Sequence, residues 1–267
     1  MLTSDQINFF DDNGYLLVKG LLSKDEAATF RTSLHSLFER IDSKQEDATW
    51  GSAGAPGKTQ LQHCHDVQFY DASFGKLIAD DRLTSATASL IKSQNVELHH
   101  TKAFIKPPQK GSPFPMHQDA PFFPHERESM IAAIIHFDDA YEKKGCVRVM
   151  PGTHKRGILP YISEGGFHLD KEKYPIGKAT PMLAEAGDVL FISYLVVHGS
   201  GVNESDEERT TFLVQMRDPE DLPTVETHLS KGQGTMLRGI NPIAGKKSTS
   251  VKGGMGSTMS GTMGGAM

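Results

Sequence analysis

Val96-Glu97-Leu98-His99-His100-Thr101-Lys102-Ala103-Phe104-Ile105 is a run of β-branched, aromatic and apolar residues closed by the turn formers Lys106-Pro107-Pro108. A run of this kind between turn residues predicts a β-strand. Four more runs share its character: Met130 to Phe137, Cys146 to Met150, Val189 to Ile192 and Thr210 to Met216. Pro151-Gly152-Thr153 and Gly187-Asp188 punctuate them. Several short strands parted by such turns predict a sandwich or jelly roll.

Upstream of Gln94 the pattern is helical instead. Residues 4–13 predict a short helix that stops near Gly14, with Ile7, Phe9 and Phe10 on its apolar side, and Tyr15–Val18 predicts a strand. Ser23-Lys24-Asp25-Glu26 is a capping box, in which the Ser and Glu side chains satisfy the first free amides of a helix. That helix should run to about Arg40, burying Leu34, Leu37 and Phe38. From Ile41 to Gln62 the chain turns to Asp, Ser, Gly, Pro and Lys, the composition of a mobile loop, which we expect to act as a lid. A second helical stretch is expected from Phe74 to Ile91, carrying Leu77, Ile78, Leu83 and Leu90. The helices should pack outside the sheets, giving a mainly β fold with flanking helices. Residues 245–267 are almost wholly Gly, Ser, Thr, Met and Lys. The division expected is one domain over 1–244 and a flexible tail over 245–267.

The 267 residues suit one large β domain, and 37% apolar residues suffice for a packed core. A formal charge of -5 gives no broad attraction to nucleic acid or an anionic membrane, so neither is an expected partner. No apolar run approaches the ~20 residues needed to cross a bilayer. Met1-Leu2-Thr3-Ser4-Asp5-Gln6 lacks the basic-then-apolar pattern of a secretory signal. Two cysteines, Cys64 and Cys146, make no disulfide framework. Together these predict a cytoplasmic protein.

The chemistry begins at Pro115-Met116-His117-Gln118-Asp119. On a strand, side chains i and i+2 share a face, so His117 and Asp119 can grip one metal. His198, in Leu195-Val196-Val197-His198-Gly199-Ser200-Gly201, supplies a third ligand. Two His and one carboxylate on one face of an octahedral ion form the arrangement of non-haem Fe(II) oxygenases. Of the three positions left, two suit a bidentate 2-oxo acid and one suits O2. Arg209 opens the following strand, where a buried guanidinium can fork onto the cosubstrate's distal carboxylate, and Thr211 shares its face. Pairing of Arg209 with Asp206-Glu207-Glu208 is the alternative, but it explains one residue where the cosubstrate explains the set.

Four of these stretches resemble motifs of the phytanoyl-CoA dioxygenase family, in the family's order and spacing. They are Phe104-Ile105-Lys106-Pro107-Pro108, Met116-His117-Gln118-Asp119, Gly145-Cys146-Val147-Arg148-Val149-Met150-Pro151-Gly152-Thr153-His154-Lys155 and His198-Gly199-Ser200-Gly201. The similarity covers roughly Gln6 to Arg217. It implies a double-stranded β-helix (a jelly roll of the cupin-like kind) and oxidative decarboxylation of 2-oxoglutarate to succinate and CO2. It further implies iron held by His117, Asp119 and His198, a distal carboxylate held by Arg209 and Ser200, and Lys106 close by. Related halogenases carry a small residue in place of the metal carboxylate, so Asp119 implies hydroxylation. The absence of a long basic patch favours a small organic substrate over an acyl-CoA. The rival reading is a non-catalytic metal-binding jelly roll of the cupin-like kind, but cupins show more histidines per site and have no need for Arg209.

Other polar residues are read structurally first. His99 and His100 should face opposite sides of their strand, each more simply a hydrogen-bonded core residue than a cavity residue. His63-Cys64-His65 has too few ligands for a zinc site and is read as part of the approach to the metal. His154 and Cys146 are read as structural, and Phe122 and Phe123 by default as core. Arg217 shares the Arg209 face, and is either a substrate-side guanidinium or a surface partner of Asp218 or Asp221.

Overall fold

A computed structural model describes residues 1–41, 44–45, 60–164, 167–225 and 229–245, and only the backbone of Lys44 and Gln45. Helix α1 (Ser4–Asn13) is capped by Thr3, whose hydroxyl accepts from the Gln6 amide while the Gln6 side chain accepts from the Thr3 amide. It ends at Gly14, at φ +77, where an added Cβ would lie 2.5 Å from His154 Nδ1. Glycine is required there by both the left-handed backbone and the imidazole above it. His154 is thus a packing residue of this corner, and its Nε2 meets the Asp11 carbonyl at 3.1 Å.

Strand β1 (Tyr15–Val18) leads to α2 (Lys24–Arg40), which starts on the expected Ser23/Glu26 capping box. The stretch from Phe74 to Ile91 is two helices, not one: α3 (Ala72–Ile78) and α4 (Asp81–Ile91). Asp80 breaks it, because its carboxylate caps the Arg82 amide at 2.8 Å and starts a new helix. Between α2 and α3, β2 (Lys44–Gln45) and β3 (Leu61–His65) form a short antiparallel pair. Most of the expected lid over 41–62, and the tail from 246 onward, lie outside the described residues.

The remaining strands are β4 (Val96–Lys106), β5 (Phe114–His117), β6 (Ile131–His136), β7 (Val147–Met150), β8 (Thr180–Pro181), β9 (Val189–Ser193), β10 (Val197–Ser200), β11 (Arg209–Arg217) and β12 (Met236–Arg238). A large sheet runs β1-β9-β6-β11-β4-β3-β2, with β12 also on β4, and a small sheet runs β5-β10-β7-β8. Every pairing among the named strands is antiparallel. This is the jelly roll, with helices laid on the outer face of the large sheet.

The period of two in each strand separates two cores. Outward residues Phe212, Val214 and Met216 of β11 join Leu34, Phe74 and Leu83 from the helices, and the Phe74 and Phe212 rings meet at 5.0 Å. Inward residues Ala132, Ile134, Leu190 and Ile192 meet Val147 and Val149 of the small sheet. The inward residues of β11 are Arg209, Thr211, Leu213 and Gln215, four consecutive positions of the cavity wall.

Candidate metal centre and its cavity

β5 and β10 are hydrogen-bonded neighbours in the small sheet, and their register sets His117 directly opposite His198. The two rings lie 4.2 Å apart between centroids. Asp119 is not on the strand, as the spacing suggested, but in the turn just past its end. Its amide and that of Ala120 both donate to the Tyr194 carbonyl, at 2.9 and 3.0 Å. That anchor turns the carboxylate back, so Asp119 Oδ1 sits 3.5 Å from His117 Nε2 and 3.7 Å from His198 Nε2. All three ligand atoms lie within 4.8 Å of one another, and among the described residues no other His, Cys, Asp or Glu group is gathered this way.

The donor chemistry fits a metal ion. His117 Nδ1 faces the Pro115 carbonyl at 2.7 Å and His198 Nδ1 faces the Val196 carbonyl at 3.0 Å. A carbonyl only accepts, so each Nδ1 carries the proton and each Nε2 presents its lone pair to the shared space. Burial, and then neighbouring His117, hold the His198 imidazole down to about 4. Burial pushes the Asp119 carboxyl up, but the facing His198 and His117 outweigh it and keep the group down to about 2. At neutral pH the trio therefore presents a neutral His198 imidazole and the Asp119 carboxylate, with the Nε2 of His117 turned to the same space.

The trio opens into a cavity of about 300 Å³. Buried Arg209 lines it, and a second buried cation, Lys106, stands beside Arg209 on β4. Arg209, 3% exposed, donates through Nη1 to the Gly145 carbonyl, and its Nε has no hydrogen-bond partner among the described residues. Lys106 is its register partner on β4, is fully buried, and donates to Ser200 Oγ at 2.7 Å and to the Gly201 carbonyl at 2.9 Å. Burial, and then the Arg209 charge, push the Lys106 ammonium well below its ordinary range. Neither cation has a carboxylate within ion-pair reach among the described residues. The acidic run is committed elsewhere: Glu207 pairs with Lys144 at 2.7 Å, and Glu208 with Arg31 at 3.5 Å. Two adjacent buried cations without an anion are costly, and the arrangement calls for an anionic ligand. Thr211 and Ser200 line the cavity too.

Several structural readings of single residues are corrected here. Phe122 and Phe123 both form cavity wall. His99 and His100 do not face opposite sides: Gln215 pairs with His100 and Met216 with Leu98, leaving His99 as the extra residue of a β-bulge. Both rings therefore turn toward Phe123, at 4.9 and 5.2 Å, and His100 reaches the cavity. Of His63-Cys64-His65, His65 lines the cavity while Cys64 is buried in the outer core. Arg217 is neither substrate-side nor at the surface. It is buried in an ion pair with Glu97 at 2.7 Å and also donates to the Asp221 main-chain carbonyl. Cavity residues outside the quoted motifs include Lys102, Phe114 and Ile134. Lys102 was recoverable, since His100, Lys102, Phe104 and Lys106 are alternate residues of β4.

The site carries a pH signature. His198 and His136 are both buried and held at about 4, against an ordinary 6.5. Between those values the unfolded chain takes up protons that the folded chain refuses, so stability rises with pH through this window. The metal-free protein should lose melting temperature as pH falls from about 6.5 toward 4, then level off with respect to these groups. A scanning-calorimetry series across that range checks it, and a flat profile would contradict neutral burial of both rings.

The family model of phytanoyl-CoA dioxygenase (PhyH) matches residues 10–211. The peroxisomal phytanoyl-CoA dioxygenase of Rattus norvegicus is 30% identical over 229 residues, covering 77% of this chain and 65% of that protein. The chain thus spans somewhat under two thirds of that relative's length. Ectoine dioxygenase of Bordetella bronchiseptica is 25% identical over 236 residues, covering 80% of this chain and 74% of that protein. Among solved structures, the non-heme alpha ketoglutarate dependent carbocyclase SnoK from nogalamycin biosynthesis superposes with a TM-score of 0.72. It is 20% identical, over 88% of this chain and 93% of that one, and so shares the double-stranded β-helix fold.

Proposed function

The chain belongs to the phytanoyl-CoA dioxygenase family, and we propose that it is an Fe(II)- and 2-oxoglutarate-dependent dioxygenase that hydroxylates a small organic substrate. One juxtaposition carries the reading: metal-ligand atoms within 4.8 Å of one another share a cavity with buried Arg209, beside which Lys106 reaches the cavity residue Ser200, and neither cation has a carboxylate partner among the described residues. In this reading His117, Asp119 and His198 hold the metal, and Arg209, Thr211, Ser200 and Lys106 receive the distal carboxylate of 2-oxoglutarate. When bound, iron and cosubstrate supply an oxidation in which O2 is consumed, succinate and CO2 are released, and a substrate C–H becomes C–OH.

The chain's own residues orient and enclose. The two carbonyl-bound Nδ1–H groups fix the imidazole planes, and Gln215 Nε2 steadies Asp119 Oδ2 at 3.4 Å. Arg209, held at Gly145, sets the depth at which a dicarboxylate can sit. Phe122, Phe123 and Leu213 give the open end apolar walls that keep water from the reacting bond. Retention of Asp119 supports hydroxylation over halogenation. The non-catalytic alternative leaves the buried Lys106 and Arg209 unexplained.

We propose further that residues 1–244 are the oxygenase domain and 245–267 a tail, and that the protein is cytoplasmic. Support for the compartment is the pair of free, buried cysteines, Cys64 and Cys146. No helix among the described residues is long and apolar enough to cross a membrane.

Anaerobic addition of Fe(II) and 2-oxoglutarate should produce the weak visible charge-transfer band of a chelated 2-oxo acid. A metabolite panel scored by substrate-stimulated succinate release would then find the substrate. Fe(II) binding without that band would favour the non-catalytic reading.

A further inference from the structure

His136 is the last residue of β6 and is fully buried. Ala132 and Ile134 of the same strand face the barrel interior, so the period of two turns His136 inward as well. Directly across the ladder is Thr211, a cavity-wall residue, and Arg209 precedes Thr211 by two on the same face. The His136 main chain is fixed, its amide donating to the Asp188 carbonyl at 3.0 Å and its carbonyl accepting from Gly187 at 2.8 Å. Its ring is held less firmly: among the described residues neither Nδ1 nor Nε2 makes a full hydrogen bond, although the Asp188 main chain lies close enough to the ring to act on it. Arg209 Nε is the third unpartnered buried nitrogen in this corner. Burial, and then the Arg209 charge, keep the imidazole neutral, so it offers one N–H donor and one acceptor.

Buried polar atoms in folded proteins are nearly always paired, and each one left unmade costs stability. A leucine would fill a similar volume in this wall without that cost. His136 is not itself a cavity-lining residue, but it stands across the ladder from the cavity residue Thr211 and near enough to Arg209 for that charge to act on its ring. A group that enters there with several acceptor oxygens and no donor, as a carboxylate does, would satisfy the N–H of His136 and Arg209 Nε together.

We propose that His136 is a further contact for the cosubstrate, its neutral imidazole donating a ring N–H to the distal carboxylate held by Arg209 and Thr211. This rests on the reading of the cavity as a 2-oxoglutarate site. The imidazole adds a donor without adding charge, in a corner that already holds two cations. It also makes the fold carry an unsatisfied group until the cosubstrate arrives.

The test compares two ligands on the Fe(II)-loaded protein, by anaerobic calorimetry. One is 2-oxoglutarate; the other is 2-oxobutyrate, which has the same chelating end and no distal carboxylate. His136→Leu should weaken 2-oxoglutarate about tenfold or more, while leaving 2-oxobutyrate within about twofold. His136→Gln, which keeps an N–H, should recover much of the loss and guards against a leucine variant that fails to fold. Metal-free His136→Leu should melt at or above the wild-type temperature, because the unpaired nitrogens are gone. Unchanged affinity for both acids would assign the corner to a buried water and overturn the proposal. Equal weakening of both acids with a lower melting temperature would make His136 a structural residue and overturn it too. Failure of the wild type to bind 2-oxoglutarate at all would overturn the cosubstrate reading itself.

Discussion

Asp119→Ala is expected to abolish retention of Fe(II) and, with it, all coupled turnover. Asp119 brings the one negative charge in the trio, and the carboxyl is held down to about 2, so that charge is present at any working pH. Without it the ion would meet two imidazole nitrogens and solvent, with no anion to offset its charge or complete the ligand face. Loss of a group that merely orients a metal ligand costs roughly 10–100-fold in affinity, so loss of the ligand itself should exceed about a hundredfold. The fold should survive. The turn is held by its amides on the Tyr194 carbonyl, and the side chain's polar contacts are with the metal-facing histidines and Gln215. Anaerobic competition against a chromophoric chelator reads the Fe(II) affinity, and the melting temperature of the metal-free variant controls for folding. Normal product formation without added halide or formate would remove Asp119 from the metal site.

The strands and the trio were legible because they depend on local period and on chemistry that few residue types can supply. The alternation of β11 placed Arg209, Thr211, Leu213 and Gln215 on one face, and the structure has all four in the cavity wall. Alternation failed at His99 and His100 because a bulge shifts the count by one, and a bulge is set by the partner strand. The break at Asp80 was missed for a different reason. Leu77, Ile78, Leu83 and Leu90 are all buried, so the apolar pattern reads through a point where the backbone restarts. The cap residue was the local sign. Arg217 and Glu97 lie 120 positions apart, and nothing near either announces a buried pair. His136 stands likewise among apolar neighbours, and its meaning comes only from Thr211 and Arg209 across the ladder.

Arg209→Ala should raise the 2-oxoglutarate requirement by about two to three orders of magnitude while leaving Fe(II) binding nearly intact. The distal carboxylate would then be buried without its forked partner, a loss of roughly 3–5 kcal/mol for a buried pair. His117 and His198 are on the other sheet and Asp119 in the turn beyond it, anchored through the Pro115 and Val196 carbonyls and Gln215. Lys106 would not replace Arg209, since two of its three donors are committed to Ser200 Oγ and the Gly201 carbonyl and its point charge offers no fork. The variant also relieves a conflict, because Lys106 is depressed partly by the Arg209 charge beside it. Its metal-free form should accordingly be no less stable than the wild type, apart from the lost bond to the Gly145 carbonyl. Arg209→Lys keeps a charge but not the fork, so it should fall between the two. Titration of the charge-transfer band measures the effect, and 2-oxobutyrate provides the control, since an acid without a distal carboxylate has nothing to lose when Arg209 goes. An unchanged 2-oxoglutarate titration would mean that the two buried cations serve some other anion, and that the cavity binds its cosubstrate, if any, by the metal end alone.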